Sequence, residues 1–308
     1  MTFAVLFPGQ GSQATGMGAD VFAARPDLAA AAQAVLGWDL ERLCREGPED
    51  ELTRTERAQP ALFTVAFALW EALAQRLGRA PAGAAGHSLG EYTALAAAGA
   101  FGFEAGLQLV AARSRAMGAA AAAAPSGMAA LLGAEREAAE ALAAARRAEG
   151  GSLWVANVNA PGQVVVAGGL PDLAWAEAHA REHGVRRVAL LKVAGAFHSP
   201  LMAPAVAELR AALEAAALLP LRFPVWANAT AAPYGEPRAL LLQQLTAPVR
   251  FGESLAAMAA SGIHRYVHVG PGDVTAGLAR RSVEGAETHV VSRLDEVDAV
   301  AAALDASA

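Results

Sequence analysis

Residues 83–91, Gly-Ala-Ala-Gly-His-Ser-Leu-Gly-Glu, lead into an apolar run to Ala98 and read as a strand that turns abruptly into a helix. Gly86-His87-Ser88-Leu89-Gly90 fits the pattern G-x-S-x-G, in which glycines allow the sharp turn and lift a serine hydroxyl into a cleft. The same residues admit another use. Ser88 and Glu91 satisfy the S-x-x-E capping box, which would leave Ser88 only closing the next helix. The strand approach and the two glycines favour a nucleophile.

Outward from this turn, strand-like runs alternate with amphipathic helices, beginning with the apolar run 3–7. A helix is expected over 60–77, with Pro60 in its first turn, Leu62, Val65, Leu69 and Leu73 near helical spacing, and Gly78 as terminator. Alternation of this kind specifies an α/β sheet with helical crossovers. Between 126 and 193 the pattern changes. Strands at 128–132, 153–158, 164–167 and 188–193 enclose helices at 135–147 and 172–183, the β-α-β-β-α-β order of a ferredoxin-like unit. The expected organisation is a main α/β unit from 1–125 and 194–308, with a ferredoxin-like small subdomain at 126–193.

A chain of 308 residues buries enough core to fold without a metal or a disulfide, and Cys44 is its only cysteine, so a reducing compartment is expected. The run 3–7 lacks a basic flank and meets Pro8 and Gly9, unlike a secretory signal, so a cytoplasmic protein is the expectation. The uncharged stretch 116–134 nearly has the length of a membrane span, but Pro125, Ser126 and Gly127 break it into helix end, loop and strand start. No membrane role is expected. A net charge of -6, with Lys192 the sole lysine, argues against nucleic acid as a partner.

A serine nucleophile needs a base. His87 is poorly placed, because adjacent side chains diverge at the turn. His179 and His183, one turn apart on a charged helix, lack a further ligand nearby, so a solvated face is the better reading. His198, in Gly195-Ala196-Phe197-His198-Ser199-Pro200, sits where the insert returns to the main sheet; a loop there can face Ser88, and a histidine simply packed in that loop is the alternative. Gly9, Gly11 and Ala14 meet the relaxed dinucleotide pattern G-x-G-x-x-A, but no second strand ending in an acid follows. The alternative is an oxyanion site built from the backbone N–H groups of Gln10 and Leu89.

Several segments together carry a specific resemblance. Residues 7–13 and 86–91, Arg113 with Met117, residues 157–163 (Asn-Val-Asn-Ala-Pro-Gly-Gln), residues 195–202, Gln244-Leu245 with Pro248, and Gly270-Pro271-Gly272 occur in the order found in malonyl-CoA:acyl carrier protein transacylases. The resemblance covers almost the whole chain and implies an α/β-hydrolase-like core with the ferredoxin-like insert, the active site lying between them. It implies Ser88 as nucleophile and His198 as base, oriented by the backbone carbonyl of Gln244 in place of an aspartate. Arg113 would hold a substrate carboxylate in its planar fork, and Phe197 would leave little room for an α-methyl group. Gly195 and Asp273 depart from many relatives and touch none of these roles.

The expected reaction is ping-pong transfer of malonyl from malonyl-CoA to the phosphopantetheine thiol of an acyl carrier protein, by a monomer without metal or redox cofactor. Fatty acid synthesis is the expected pathway, with a freestanding acyltransferase for polyketide synthesis as the nearer rival. A serine esterase using Ser88, Asp172 and His289 leaves Arg113 and the Gln10 loop without a job, and a carrier-binding module with a dead site does not explain the full catalytic set. Carrier proteins of this family's pathway are usually acidic, and Arg280-Arg281, at a place resembling the family's docking surface, read equally as a basic docking patch on an acidic enzyme or as a solvated helix end opposing its dipole.

Overall fold

The computed structural model of the chain describes residues 2–306. Its apolar runs form strands β1 (Ala4–Phe7), β2 (Gly83–Gly86), β3 (Ser126–Leu132), β4 (Leu153–Ala160), β5 (Gln163–Gly169), β6 (Arg187–Leu190), β7 (Val225–Trp226), β8 (Arg265–Val269) and β9 (Glu287–Val291). Among the described residues these strands make a five-stranded sheet, ordered β7-β2-β1-β8-β9, and a four-stranded sheet, ordered β4-β5-β3-β6.

The larger sheet is parallel throughout. Parallel strands need both faces covered, and the two-residue period of β1 shows how this is met. Val5 and Phe7 pack into the core containing Leu62, Val65 and Leu69 of the helix Thr55–Leu77. Ala4 and Leu6 face the opposite core, with Leu255 and Met258 of the helix Phe251–Ala260 and Leu278 of the helix Val274–Ser282. Phe7 pairs with Gly86 in register, so β1 and β2 end side by side. The 8–13 loop and the serine turn therefore leave the same end of the sheet, where open α/β sheets place their ligands.

The smaller sheet is antiparallel, and its first strand, β3, lies between the third and fourth, β5 and β6, which is the ferredoxin-like order. Alternation along β3 divides it between two cores. Ala129 and Leu131 pack with Leu142, Val155 and Leu173 under the helices Arg136–Ala148 and Leu170–His179, whereas Met128 and Ala130 join the main core. The small sheet thus lays its helix-free face against the main unit. The fold is an α/β-hydrolase-like core carrying a ferredoxin-like subdomain. All four small-sheet strands lie between residues 126 and 190. The expected limits of the main unit at residue 1 and at 307–308 fall outside the described residues.

Local differences from the sequence reading are instructive. The long helix starts at Thr55, so Pro60 lies in its second turn. Residues 55–59 extend the helix ahead of the proline and bring Gln59 onto its buried face, at 1% exposure. The helix expected over 172–183 is α-helical only from Leu170 to His179 and tightens to a 3-10 turn over Ala180–His183. β6 ends at Leu190; Leu191 N–H still donates to Met128 O of β3 at 2.9 Å, and the side chains of Leu191 and Val193 line the cleft between the subdomains. The 116–134 stretch resolves into the end of the helix Phe103–Ala123, a loop and β3, and no helix of the described residues is long and apolar enough to cross a membrane.

Gly86 is the tightest joint. A Cβ there would meet the carbonyl carbon of Gly90 at 1.8 Å and the nitrogen of Glu91 at 2.2 Å. Backbone cannot yield as a flexible side chain can. Gly86→Ala is expected to destabilise the chain by about 3 kcal/mol or more, whereas Gly102→Ala, with open space around its Cβ, should change stability by less than about 0.5 kcal/mol. Denaturant unfolding of the two variants checks this contrast.

Candidate active site

Ser88 and His198 both sit in the left-handed region, at φ 52° and 56°, which residues other than glycine seldom adopt. Such strain persists only where the surroundings over-determine it. The turn at Ser88 is held from three sides. His87 N–H donates to Phe7 O at 2.9 Å, and Ser88 N–H donates to Asn228 Oδ1 at 2.8 Å. Asn228 Nδ2 donates to Gly86 O at 2.7 Å, and Gln244 Nε2 donates to Ser88 O at 3.0 Å. His198 follows a turn in which Ser199 Oγ donates to Ala196 O at 2.6 Å, and Ala196 N–H donates to Ser126 Oγ at the start of β3.

These backbones bring Ser88 Oγ to 2.7 Å from His198 Nε2, and His198 Nδ1 to 2.8 Å from the main-chain oxygen of Gln244. A carbonyl only accepts, so Nδ1 carries the hydrogen and Nε2 keeps a lone pair facing the serine hydroxyl. Burial, reinforced by the positive charge of Arg113, lowers the His198 pKa to about 3. The imidazole is therefore neutral near neutrality.

Arg113 lies in the middle of the helix Phe103–Ala123 and is fully buried, at 0% exposure. Its Nη1 donates to Gln59 Oε1 at 2.6 Å, and Nη2 donates to Ser88 Oγ at 3.0 Å and to Gln244 Oε1 at 2.9 Å. The guanidinium stands over the Tyr92 ring, 5.4 Å from its centroid. Each of these partners is neutral, Nε has no hydrogen-bond partner among the described residues, and burial lowers the Arg113 pKa. Arg115, two residues on, behaves as an ordinary surface arginine and pairs with Glu208 at 3.7 Å.

The cleft over Ser88 is a cavity of about 330 Å³ lined by Gln10, Met117, Met128, Asn159, Phe197 and His198, with the exposed Leu191 and Val274 at its rim. That volume suits a small acyl group with a linear arm behind it. Gly9 lets the 8–13 loop lie on the serine turn, since a Cβ there would meet His87 O at 2.4 Å. Among the described residues, neither the N–H of Gln10 nor that of Leu89 has an acceptor within the protein. Phe197 is buried against the cavity, and the Gln10 side chain is turned away toward Thr55 Oγ1, at 3.3 Å.

Several sequence alternatives are not assembled. Ser88 does not cap the following helix, because its hydroxyl engages His198 and the Glu91 carboxylate turns inward to Asn228, Tyr234 and Gln244. Asp172 pairs with Arg146 at 2.7 Å in the small subdomain and His289 with Glu287 on β9, so the esterase set has no common site. His179 stacks on Trp175, with ring centroids 4.1 Å apart. His87 Nε2 binds Asn159 Oδ1 of β4 at 2.7 Å, across the subdomain boundary. Arg280 reaches Thr288 and Arg281 reaches Gln163 beside the cleft.

Four residues of the site escaped the sequence reading: Gln59, Glu91, Asn228 and Tyr234. Asn228 had a usable signal, being a polar residue just beyond the C-terminal end of a strand that pairs with β2. Glu91 was noticed only as a capping residue. Gln59 and Tyr234 carry no local signal, since their importance depends on segments distant in sequence.

Comparison with known proteins places this geometry. The family model described as acyl transferase domain matches residues 4–296. The malonyl CoA-acyl carrier protein transacylase of Escherichia coli (strain K12) is 40% identical over 309 residues, which covers 98% of this chain and 99% of that protein. The polyketide biosynthesis protein ThaF of Burkholderia thailandensis is 40% identical over 280 residues, 90% of this chain but only 24% of that protein's length. A solved type II polyketide synthase acyl-carrier protein in complex with its malonyl-transacylase superimposes with a TM-score of 0.92 at 34% identity, covering 97% of this chain and 100% of that one. With the serine turn, the Gln10 loop and the buried arginine all in place on this fold, the chain belongs to the acyl transferase family, among the malonyl CoA-acyl carrier protein transacylases.

Proposed function

We propose that this protein transfers malonyl from malonyl-CoA to the phosphopantetheine thiol of an acyl carrier protein through an ester on Ser88. The observation that carries this reading is Arg113, a buried cation with neutral partners in contact with the nucleophile itself. A charge so placed is costly unless the substrate brings the opposite one, and malonyl brings a carboxylate where acetyl does not. Phe197 closes the space an α-methyl group would need.

In the first half-reaction His198 Nε2 takes the Ser88 proton, and Oγ bonds to the thioester carbonyl carbon. The N–H groups of Gln10 and Leu89 receive the oxyanion. As the carbon–sulfur bond breaks, the coenzyme A sulfur takes the proton from Nε2. In the second half the carrier thiol gives its proton to Nε2 and attacks the ester, and Ser88 leaves with that proton. Gln244 O keeps the imidazole in the required tautomer throughout. The near-complete match to the Escherichia coli transacylase supports fatty acid synthesis as the destination; the likeness to ThaF supports a polyketide pathway as the second reading.

Malonyl-CoA alone is expected to leave a malonyl mass on Ser88, and Ser88→Ala to lose it. Intact-mass measurement reads both, and continued transfer by Ser88→Ala sinks the mechanism. His198→Ala should slow acylation by about 10² to 10⁴.

Substrate choice gives a separate test. Arg113→Ala should shift the malonyl-to-acetyl ratio in kcat/KM at least about tenfold toward acetyl, and Phe197→Ser should raise methylmalonyl transfer. An unmoved malonyl-to-acetyl ratio would remove Arg113 from the substrate carboxylate.

For the carrier protein, the proposed docking charges are the exposed Arg281, held beside the cleft by Gln163, and its exposed neighbour Arg280. Arg280→Glu with Arg281→Glu should raise KM for an acidic carrier and flatten its salt dependence while acylation by malonyl-CoA stays unchanged. Equal loss in both half-reactions, or none, rejects the docking role.

A further inference from the structure

Glu91 is a buried ionisable group beside the nucleophile that the mechanism above leaves unused. It stands in the first turn of the helix Gly90–Ala97 at 0% exposure. Burying a carboxylate is costly, and its surroundings answer with donors from two distant segments. Oε1 accepts from Asn228 N–H at 3.1 Å and from the Tyr234 hydroxyl, and Oε2 accepts from Gln244 Nε2. Asn228 holds Ser88 N–H and Gly86 O. Gln244 holds Ser88 O through its amide nitrogen, His198 through its main-chain oxygen and Arg113 through its amide oxygen. One carboxylate is therefore a single hydrogen bond from both residues that fix the nucleophile, the base and the arginine.

The Gln244 amide has two ends of opposite character. A carboxylate accepts only, so the end facing Glu91 must be the NH₂, which leaves the oxygen for Arg113. We propose that Glu91 is a positioning residue that sets the polarity of the Gln244 amide and thereby aims the Arg113 guanidinium at the substrate carboxylate. With glutamine at position 91, the Asn228 N–H still demands an oxygen at the Oε1 position, so the new NH₂ falls at the other and meets the NH₂ of Gln244. Turning the Gln244 amide to relieve that contact places a donor against Arg113 Nη2 and displaces the guanidinium. Acetyl, lacking a carboxylate, feels that displacement only through Ser88 and His198, an effect that malonyl shares. The inference rests on the reading of Arg113 as the carboxylate site.

Protonating Glu91 should act in the same direction, since a neutral carboxyl no longer dictates which end of the amide it meets. Burial raises its pKa to about 7, against the lowering effects of Tyr234, Gln244, Asn228 and Arg113. The other titratable groups facing it keep one charge state near neutrality. Burial and the Glu91 charge raise the Tyr234 pKa well above its usual value, burial raises that of Tyr92, His198 is neutral, and the guanidinium keeps its proton. Acid should therefore lower the preference for malonyl by protonating Glu91.

The test is the rate of Ser88 acylation by malonyl-CoA and by acetyl-CoA, measured on both sides of neutrality. The ratio cancels effects shared by the two donors, including those on the base and the nucleophile. The wild-type ratio should fall on the acid side, and in Glu91→Gln it should be about tenfold lower and flat with pH. A merely structural role lowers both rates together and leaves the ratio and its pH dependence intact, which overturns the proposal. Should Glu91→Gln fail to fold, Tyr234→Phe removes one donor from the carboxylate. The midpoint of the ratio should then move to higher pH, and a midpoint that stays in place is equally fatal. Arg113→Ala separates the two claims. A wild-type ratio there defeats the substrate reading itself, whereas a changed ratio there beside an unchanged one in Glu91→Gln defeats only the role of Glu91.

Discussion

The site is organised around a positive charge taken out of water. Arg113 is buried mid-helix, where helical geometry fixes its Cα and leaves the guanidinium to be held by whatever surrounds it. Gln59, Gln244 and Ser88 supply oxygen acceptors and Tyr92 a ring face, and none of them carries a formal charge. A carboxylate in direct contact would neutralise the arginine and close the site to an anionic substrate. The one buried acid nearby, Glu91, is kept a residue away, with the Gln244 amide between them. That spacing supplies a distant counter-charge and still leaves the guanidinium free to bind.

The same charge shapes the base. It stands beside His198 and lowers its basicity further than burial alone, while a neutral carbonyl, in place of a carboxylate, orients the ring. In the first half-reaction the leaving group is a thiol, with an ordinary pKa of about 8.5, which needs less help from a proton donor than an alcohol does; in the second, Ser88 leaves as an alcohol with the proton that Nε2 has taken from the incoming thiol.

Much of the fold was legible because it depends on local periodicity. The two-residue alternation in β3 and the glycines at 86 and 90 are properties of short windows, and each reports burial or backbone shape directly. Arg113 was not legible in this way. Its spacing resembles that of Arg115, and only its meeting with Gln59 and Gln244, each more than 50 residues away in sequence, makes it a site residue. Resemblance to a family supplied what periodicity could not. Gln59 lies just outside the helix expected over 60–77, so helical periodicity assigns it no face. Glu91 enters the sequence reading only through the capping box, an alternative that the strand approach and the two glycines disfavour; a capping box is a rule about neighbours, whereas the carboxylate answers to Asn228 and Tyr234 across the fold.

A buried cation with neutral neighbours also has a thermodynamic meaning for the protein as a whole. The desolvation cost of the guanidinium is only partly offset by the distant Glu91, and on the proposed role of Arg113 the acyl carboxylate offsets more of it, so the malonylated form is expected to resist unfolding better than the empty one. Loading and folding are linked through one guanidinium. An apolar residue at position 113 would favour a sturdier chain with no purchase on its substrate, so selection for stability and selection for function pull in opposite directions at that position.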